Sequence, residues 1–521
     1  MELYNLLKDT SHSRPDKLAV ICGRFRYTYA QLKDRTDRLA DALLSLGVRK
    51  DVKVAVIHKN CHIFLECYFA AAKIGAVLVP VNIRLTPREM IYILNDSQAE
   101  VLIVEPEFLT ADLLEKKEII RLKQVILTRD TEKVSSCKNF FLYEDLIKKS
   151  DAGENRETDL RDSDTAQIYY TSGTTGKPKG VILTHRNNLK HALGAIEELN
   201  ISSADNWLHV SPMFHLADAW AVWAMTQAGA THVFVPCFEP LPVLQAIQEH
   251  RVTLSNFIPT MLNLLVKNPE IERFDLTSFR LVLSGGAPIA KEIVKTVLEK
   301  FGCDYIQTYG LTETSPFLTL SKLREDMDNL SFEDKLRFKV TTGRPFSGVQ
   351  LKVVREDGAE VQPDEKEVGE IIVKGETITP GYWQLPQETT RRIVDGWLHT
   401  RDLAVINPEG YITLVDRMDD RIITGGENVF SIEVEDVLYS HPGILEAAVI
   451  GLPDAVWGEI VTAVVVLKKG ERIGEDDIVQ YCRKRLAPFK SPKKVFFSNS
   501  LPKTGSAKIY KYKLREHYTE E

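Results

Sequence analysis

YTSGTTGKPKG, residues 170–180, is the stretch on which the reading of this chain turns. Its eleven positions hold three glycines, four serine or threonine hydroxyls and two lysines, and the apolar run AQIYY leads into it. Glycine lets the backbone turn sharply and present its N–H groups, hydroxyls add donors and lysines add charge, a combination suited to a polyphosphate. It is not a Walker loop: Gly173 and Gly176 stand only three apart and Pro178 follows Lys177, so the G-x-x-x-x-G-K-[ST] spacing is missing.

Outward from this stretch, up to about residue 415, helix-like segments alternate with short apolar runs: VKVAVI (52–57), AEVLIVE (99–105), THVFVP (231–236) and FRLVLSGG (279–286). That alternation predicts α/β layers with mainly parallel strands. After about 340 strands crowd together in VQLKVVRE (349–356), VGEIIVKG (368–375) and GYITLVDR (410–417), with turn signals at Asp357-Gly358 and Glu409-Gly410, which predicts a β-rich subdomain. The charged run DRMDDRIITGG (416–426) suits a linker or hinge. Beyond it the pattern predicts helix 431–440, strands 445–451 and 460–467, helix 475–486 and a basic tail. The expected fold is α/β: a large N-terminal part of two α/β layers plus a β-rich subdomain (1–416), a hinge (417–426) and a small mobile α+β C-terminal domain (427–521).

Length and composition agree with several cores in one chain: 521 residues, 44% hydrophobic and 27% charged. A formal charge of −7 argues against a surface built to wrap nucleic acid. From Arg483 to Arg515 there are eleven lysines and arginines and no acid, which reads either as a solvated face or as a lid over an anionic ligand. The seven cysteines form no CxxC pair and suit reduced thiols, so a cytoplasmic setting is expected. Neither a signal sequence nor a transmembrane helix is expected, because the start is mixed polar and the uncharged window 219–237 reads as helix, turn and strand.

With these segments in place, YTSGTTGKPKG closely resembles the phosphate-binding signature of the adenylate-forming superfamily, which includes acyl-CoA synthetases, luciferases and the adenylation domains of peptide synthetases. Further matches follow in order over essentially the whole chain. QTYGLTET (307–314) resembles the adenine and magnesium segment, GWLHTRDLA (396–404) the ribose segment, DRMDDRIITGGENV (416–429) the hinge and LPKTGSAKI (501–509) the segment with the catalytic lysine.

The resemblance implies an AMP-forming carboxylate–CoA ligase using ATP, Mg²⁺ and coenzyme A. Lys508 reaches the α-phosphate, Glu313 beside Thr312 supplies a hard oxygen ligand for Mg²⁺, and His215 joins them in the catalytic set. Thr171, Ser172, Gly173, Thr174, Thr175 and Lys179 take the phosphates. Gly286, Ala287, Gln307 and Thr308 line the nucleotide, Tyr309 offers adenine a flat face, Asp402 accepts from the ribose hydroxyls and Arg417 donates to a phosphate or ribose oxygen. Asp419 is the pivot, and paired Gly425-Gly426 either lets pantetheine pass close to the backbone or simply makes a turn. One departure is Ala507, where the residue before the lysine is often glycine.

The acid is less legible. SPMFHLADAWAVWAMTQAG (211–229) resembles the start of the acyl pocket in fatty and aromatic acid CoA ligases. Phe214, Trp220, Trp223, Met261, Gly285, Gly310 and Pro316, with Phe317, are the expected lining, although Trp220 and Trp223 also read as core residues. No lysine or arginine stands in these segments to pair a second carboxylate, so a hydrophobic monocarboxylic acid, fatty or aromatic, is expected. The alternatives are an enzyme that loads a carrier protein, disfavoured because the chain stops soon after Lys508, and a luciferase-like oxygenase, which shares every adenylation motif. A homodimer is left open. The pair His58/His62 is not read as a zinc site, since one ends a strand and the other opens a helix. Leu283–Ala287 lacks the G-x-S-x-G serine elbow.

Overall fold

The computed structural model describes residues 2–110, 119–130, 140–152, 159–171, 177–287, 289–503 and 509–519. These fall into two compact units, Met1–Gln350 with Lys374–Gly396, and Leu351–Val373 with Trp397–Glu521.

The first unit contains two large sheets. In one, the strands run in the order Phe140–Leu142, Gln124–Leu127, Val101–Val104, Lys53–Ile57, Val77–Pro80, Thr165–Thr171 and Lys179–Thr184. All neighbours are parallel except the last two, which form an antiparallel hairpin around the Gly/Thr-rich stretch. The other has nine strands, with a parallel centre of Asp304–Gly310, Leu281–Gly285, Leu254–Phe257, Asn206–His209, Thr231–Phe234 and Leu18–Cys22. Val77–Pro80, Val101–Val104 and Thr231–Phe234 are buried at every position, which is why they read as continuous rather than alternating apolar runs: helices cover both faces of such a sheet.

Helix boundaries follow local chemistry. Thr28 with Gln31, Thr86 with Glu89 and Thr184 with Asn187 close capping boxes, and Pro87 takes the first position of its helix. Gly75, Gly229 and Gly302 end their helices in the left-handed region.

In the second unit, Gly369–Gly375 pairs with Trp397–Ile406, which pairs with Ile412–Arg417, all antiparallel. A second sheet orders Glu427–Val429, Ile422–Thr424, Gly458–Leu467 and Ile444–Asp454, with Lys494–Phe497 beside Gly458–Leu467. Helices Ser431–Tyr439 and Glu475–Arg483 bury Val434, Leu438, Ile478 and Cys482 in its core. The second helix ends before 486 because Pro488 disfavours helical backbone just ahead of it. Within the expected hinge, Ile422–Thr424 is a short strand. In the basic tail, Lys490, Lys503, Lys511 and Arg515 pair with Glu433, Glu446, Glu435 and Asp420. No helix among the described residues is long and apolar enough to cross a membrane.

Candidate active site

The phosphate-loop hairpin is built by register: Thr171 lies opposite Lys179, Tyr170 opposite Gly180. Ser172, Gly173, Thr174 and Thr175, between the two strands, lie outside the described residues. Lys179 Nζ is 2.9 Å from Glu388 Oε1, and each side chain is only 14% exposed. Arg391 reaches the same carboxylate at 2.8 Å. Burial alone would raise the Glu388 pKa, but Lys179 and Arg391 outweigh it and hold the carboxyl below its usual range.

The nucleotide and metal candidates gather at the carboxyl ends of two neighbouring strands. Leu281–Gly285 and Asp304–Gly310 are parallel with Ser284 opposite Gln307 and Gly285 opposite Thr308, so Gly286 and Ala287 leave one strand beside Gln307–Tyr309 of the other. Gln307 Nε2 donates to Ala287 O at 3.1 Å and its Oε1 accepts from Tyr305 OH, while Thr308 Oγ1 donates to Ser284 O at 3.1 Å. Tyr309 is 8% exposed. Gly285 has no room for a side chain, because a Cβ there would lie 2.3 Å from Thr308 Oγ1. At Gly310 a Cβ would lie 1.8 Å from Pro316 O. The chain then makes a single 3-10 turn, Thr312–Thr314, which carries half-buried Glu313. Tyr382 OH donates to Glu313 Oε1 at 2.9 Å and Thr379 N–H to Glu313 O at 2.8 Å. No group of three or more His, Cys, Asp or Glu that could hold a metal occurs among the described residues. One carboxylate completed by phosphate oxygens and water is the arrangement Mg²⁺ commonly takes, so the donor set fits that ion.

His215, expected in the catalytic set, caps the helix Leu216–Ala228, its Nδ1 accepting from Ala217 N–H at 3.1 Å. Phe214 and Met261 are buried. Trp220 packs against Trp207, Phe317 and His191 with ring centroids 5.0, 5.0 and 5.7 Å away, and Trp223 against Phe69 and Tyr68 at 4.9 and 5.7 Å. Both indoles are 1% exposed, and among the described residues neither indole N–H has a hydrogen-bond partner. Asp218, the one acid in this helix, is taken up by His209 Nδ1 at 2.5 Å and Trp207 Nε1 at 3.1 Å.

In the second unit Asp402 lies directly opposite Arg417 across the strands, with Arg417 Nε 3.3 Å from Asp402 Oδ1. Asp402 is buried while the arginine is 53% exposed. Asp419 is gripped by the Arg401 guanidinium. Gly425 and Gly426 both have positive φ, +58° and +84°, and form the two-residue turn joining Ile422–Thr424 to Glu427–Val429. A Cβ on Gly425 would lie 2.8 Å from the Trp457 ring. Lys508 lies outside the described residues. The helix Lys511–Thr519 just after it is anchored by half-buried Lys511, which sits 2.8 Å from Glu435 Oε1 and donates to Ser431 Oγ at 2.6 Å.

Sequence reasoning passed over Tyr382 and Glu388. The signal that carries them is GYW at 381–383 followed by Glu388, which has no periodicity and resembles an ordinary loop until the fold brings it beside Glu313 and Lys179.

Compared with known proteins, residues 7–383 match the AMP-binding enzyme family and residues 433–508 the AMP-binding enzyme C-terminal domain. The chain belongs to the AMP-binding enzymes. Feruloyl-CoA synthase of an Amycolatopsis species is 36% identical over 507 residues, 97% of this chain and 96% of that one. Long-chain-fatty-acid–CoA ligase FadD13 of Mycobacterium tuberculosis is 35% identical over 497 residues, 95% and 93%. Among solved structures, Bacillus subtilis o-succinylbenzoate CoA synthetase with its acyl-adenylate intermediate superimposes with a TM-score of 0.84 at 30% identity, covering 99% of this chain and 98% of that one. The same synthetase is similar in complex with ATP and magnesium ion, at TM-score 0.82 and 30% identity over 98% of each chain.

Proposed function

We propose that this AMP-binding enzyme activates a hydrophobic monocarboxylic acid, fatty or aromatic, as its acyl-adenylate with loss of pyrophosphate, and then transfers the acyl group to the thiol of coenzyme A. The observation that carries the reading is the cluster of Gly285–Ala287, Gln307–Gly310 and Glu313 at the carboxyl ends of two parallel strands, where such folds take ligands. The aromatic and apolar surroundings of residues 214–223, with the Asp218 carboxylate already bonded to His209 and Trp207, support a hydrophobic acid.

A carboxylate acylates badly because its oxygen is a poor leaving group, and converting it to a mixed anhydride with AMP makes that oxygen part of a good leaving group. The residues of this chain have to position the acid and ATP and steady negative charge as the carboxylate oxygen attacks the α-phosphate. Thr171–Thr175 donate hydrogen bonds to the phosphates, and Lys508 supplies charge at the α-phosphate. Lys179, paired with Glu388 at the start of the strand after the loop, adds positive charge there. Glu313 would hold Mg²⁺, which when bound neutralises phosphate charge. Asp402, oriented by Arg417, accepts from the ribose hydroxyls. In the second step the coenzyme A thiol attacks the acyl carbonyl of the adenylate, forming the thioester and expelling AMP, with Asp419 as the expected pivot and the Gly425-Gly426 turn as the expected contact of pantetheine. The setting we infer is cytoplasmic, in keeping with Cys22, Cys61, Cys67, Cys237, Cys303 and Cys482 all being free thiols.

Exchange of labelled pyrophosphate into ATP tests the first step. The reading expects exchange that requires both Mg²⁺ and a hydrophobic acid and needs no coenzyme A. Exchange absent with every acid would defeat it.

A further inference from the structure

A strap formed by residues 379–391 lies along the strand that leaves the phosphate loop. Tyr382 bridges Val181 in antiparallel fashion, Trp383 N–H donates to Gly180 O at 2.7 Å, Ile182 N–H to Gly381 O at 3.1 Å and Thr379 Oγ1 to Ile182 O at 2.6 Å. The strap is also locked to itself and to its surroundings. Tyr382 N–H donates to Thr389 Oγ1 at 3.0 Å, the Trp383 indole N–H to Asp96 O at 2.9 Å, and Lys53 lies 4.3 Å from the Trp383 ring centre. Gly381 has φ +148°, and a Cβ there would lie 2.5 Å from Thr389 Cγ2, so the close turn requires glycine.

From this fixed base the strap reaches two groups of the candidate site. Glu388 meets Lys179, and the hydroxyl of Tyr382, itself 5% exposed, meets Glu313 Oε1 at 2.9 Å. A carboxylate on a one-turn 3-10 segment has little of its own to fix the plane of its two oxygens. A charge-assisted hydrogen bond to one oxygen sets that plane and turns the other oxygen toward a cation. The Thr379 N–H on the Glu313 carbonyl pins the backbone in the same direction.

We propose that Tyr382 is a positioning residue for the metal carboxylate: its hydroxyl holds Glu313 in the orientation that receives the divalent cation of the nucleotide complex. The inference rests on the reading of Glu313 as that carboxylate. Removing an outer hydrogen-bond partner of a metal-ligating carboxylate commonly costs about 10- to 100-fold in metal affinity, and that is the effect expected here.

The experiment is a Mn²⁺ titration, followed by electron paramagnetic resonance, of the full chain with α,β-methylene-ATP, comparing wild type with Tyr382→Phe, Trp383→Phe and Glu313→Gln. The expected result is that Y382F raises the half-saturating Mn²⁺ concentration about 10- to 100-fold, W383F leaves it within about 3-fold of wild type, and E313Q is weakest. Y382F titrating like wild type while E313Q is impaired would overturn the proposal alone. Y382F and W383F shifting together would overturn it too, since the effect would then come from strap packing rather than the hydroxyl. Wild type and E313Q titrating alike would overturn the metal role of Glu313 and the proposal with it. The half-saturating Mg²⁺ concentration for pyrophosphate release should follow the same order.

Discussion

Gly310 shows how little freedom single positions have at the candidate site. Its missing Cβ makes room for the Pro316 carbonyl, a backbone atom that cannot swing aside as the tip of a side chain could. Gly310→Ala should therefore cost about 2–3 kcal/mol of stability, the upper range of overpacking effects, read as a lower urea midpoint with an unchanged slope. A midpoint within error of wild type would refute that packing. Lys508 makes the complementary prediction: Lys508→Ala should fold normally yet slow adenylation by about 10²- to 10³-fold, the scale for losing one preorganised charge donor. Capture of labelled acyl-adenylate in a single turnover would measure this, and an unchanged rate would remove Lys508 from the first step. Both residues stand in motifs that the sequence displays openly. Tyr382 does not, because a hydrogen bond across 69 positions leaves no local pattern.

Among elements, the helix Leu216–Ala228 is tied down at both ends by buried polar groups. Asp218 in its first turn meets His209, His209 meets His232 at 2.9 Å, and His232 meets Thr226 in the last turn at 3.0 Å. His191 and His185 on the helix His185–Glu198 are also buried and accept N–H groups from Phe317 and Leu3, which a neutral imidazole can do and an imidazolium cannot. Burial lowers the His191 pKa to about 3, and burial, opposed by Asp164, lowers that of His185 to about 4. Unfolded histidine titrates near 6.5, so between the two values the unfolded chain binds protons that the native chain refuses. Their contribution is fully present above about pH 6.5 and is lost as the pH falls, by about 1.4 kcal/mol per unit for each histidine. These two histidines should thus add roughly 2–3 kcal/mol to the stability difference between pH 7.5 and 5.5, and His191→Gln should shrink that difference by about half of it. An H191Q difference equal to that of wild type would contradict the shifted titration of His191. The sequence could not have shown this arrangement, since a histidine facing the core and one facing water occur in the same helical pattern.

Across the whole molecule, what was legible followed from period and order. The continuous apolar runs at 53–57, 101–104, 231–234 and 281–285 are parallel strands, and the crowded runs after 340 are antiparallel ones. The strand Trp397–Ile406 was read for its ribose motif rather than its structure, because His399, Arg401 and Asp402 interrupt the apolar pattern. Those polar residues are absorbed by Glu370, Asp419 and Arg417, partners that only the folded sheet supplies. In the expected hinge stretch Asp420 pairs with Arg515 and Gly425-Gly426 form a tight hairpin, pairings that composition alone does not display. The acid is hardest to read, since an apolar pocket wall and an apolar core have the same composition, and Trp220 and Trp223 are buried among the core aromatics Trp207 and Phe69.

The most direct test of the account is product analysis with ATP and Mg²⁺ across acetate, octanoate, palmitate, benzoate and cinnamate, each with and without coenzyme A. The account predicts that a hydrophobic acid yields AMP, pyrophosphate and acyl-CoA in equal amounts, with turnover faster when coenzyme A is present. Pyrophosphate release that ignores coenzyme A and leaves no thioester, or no release with any acid, would contradict it.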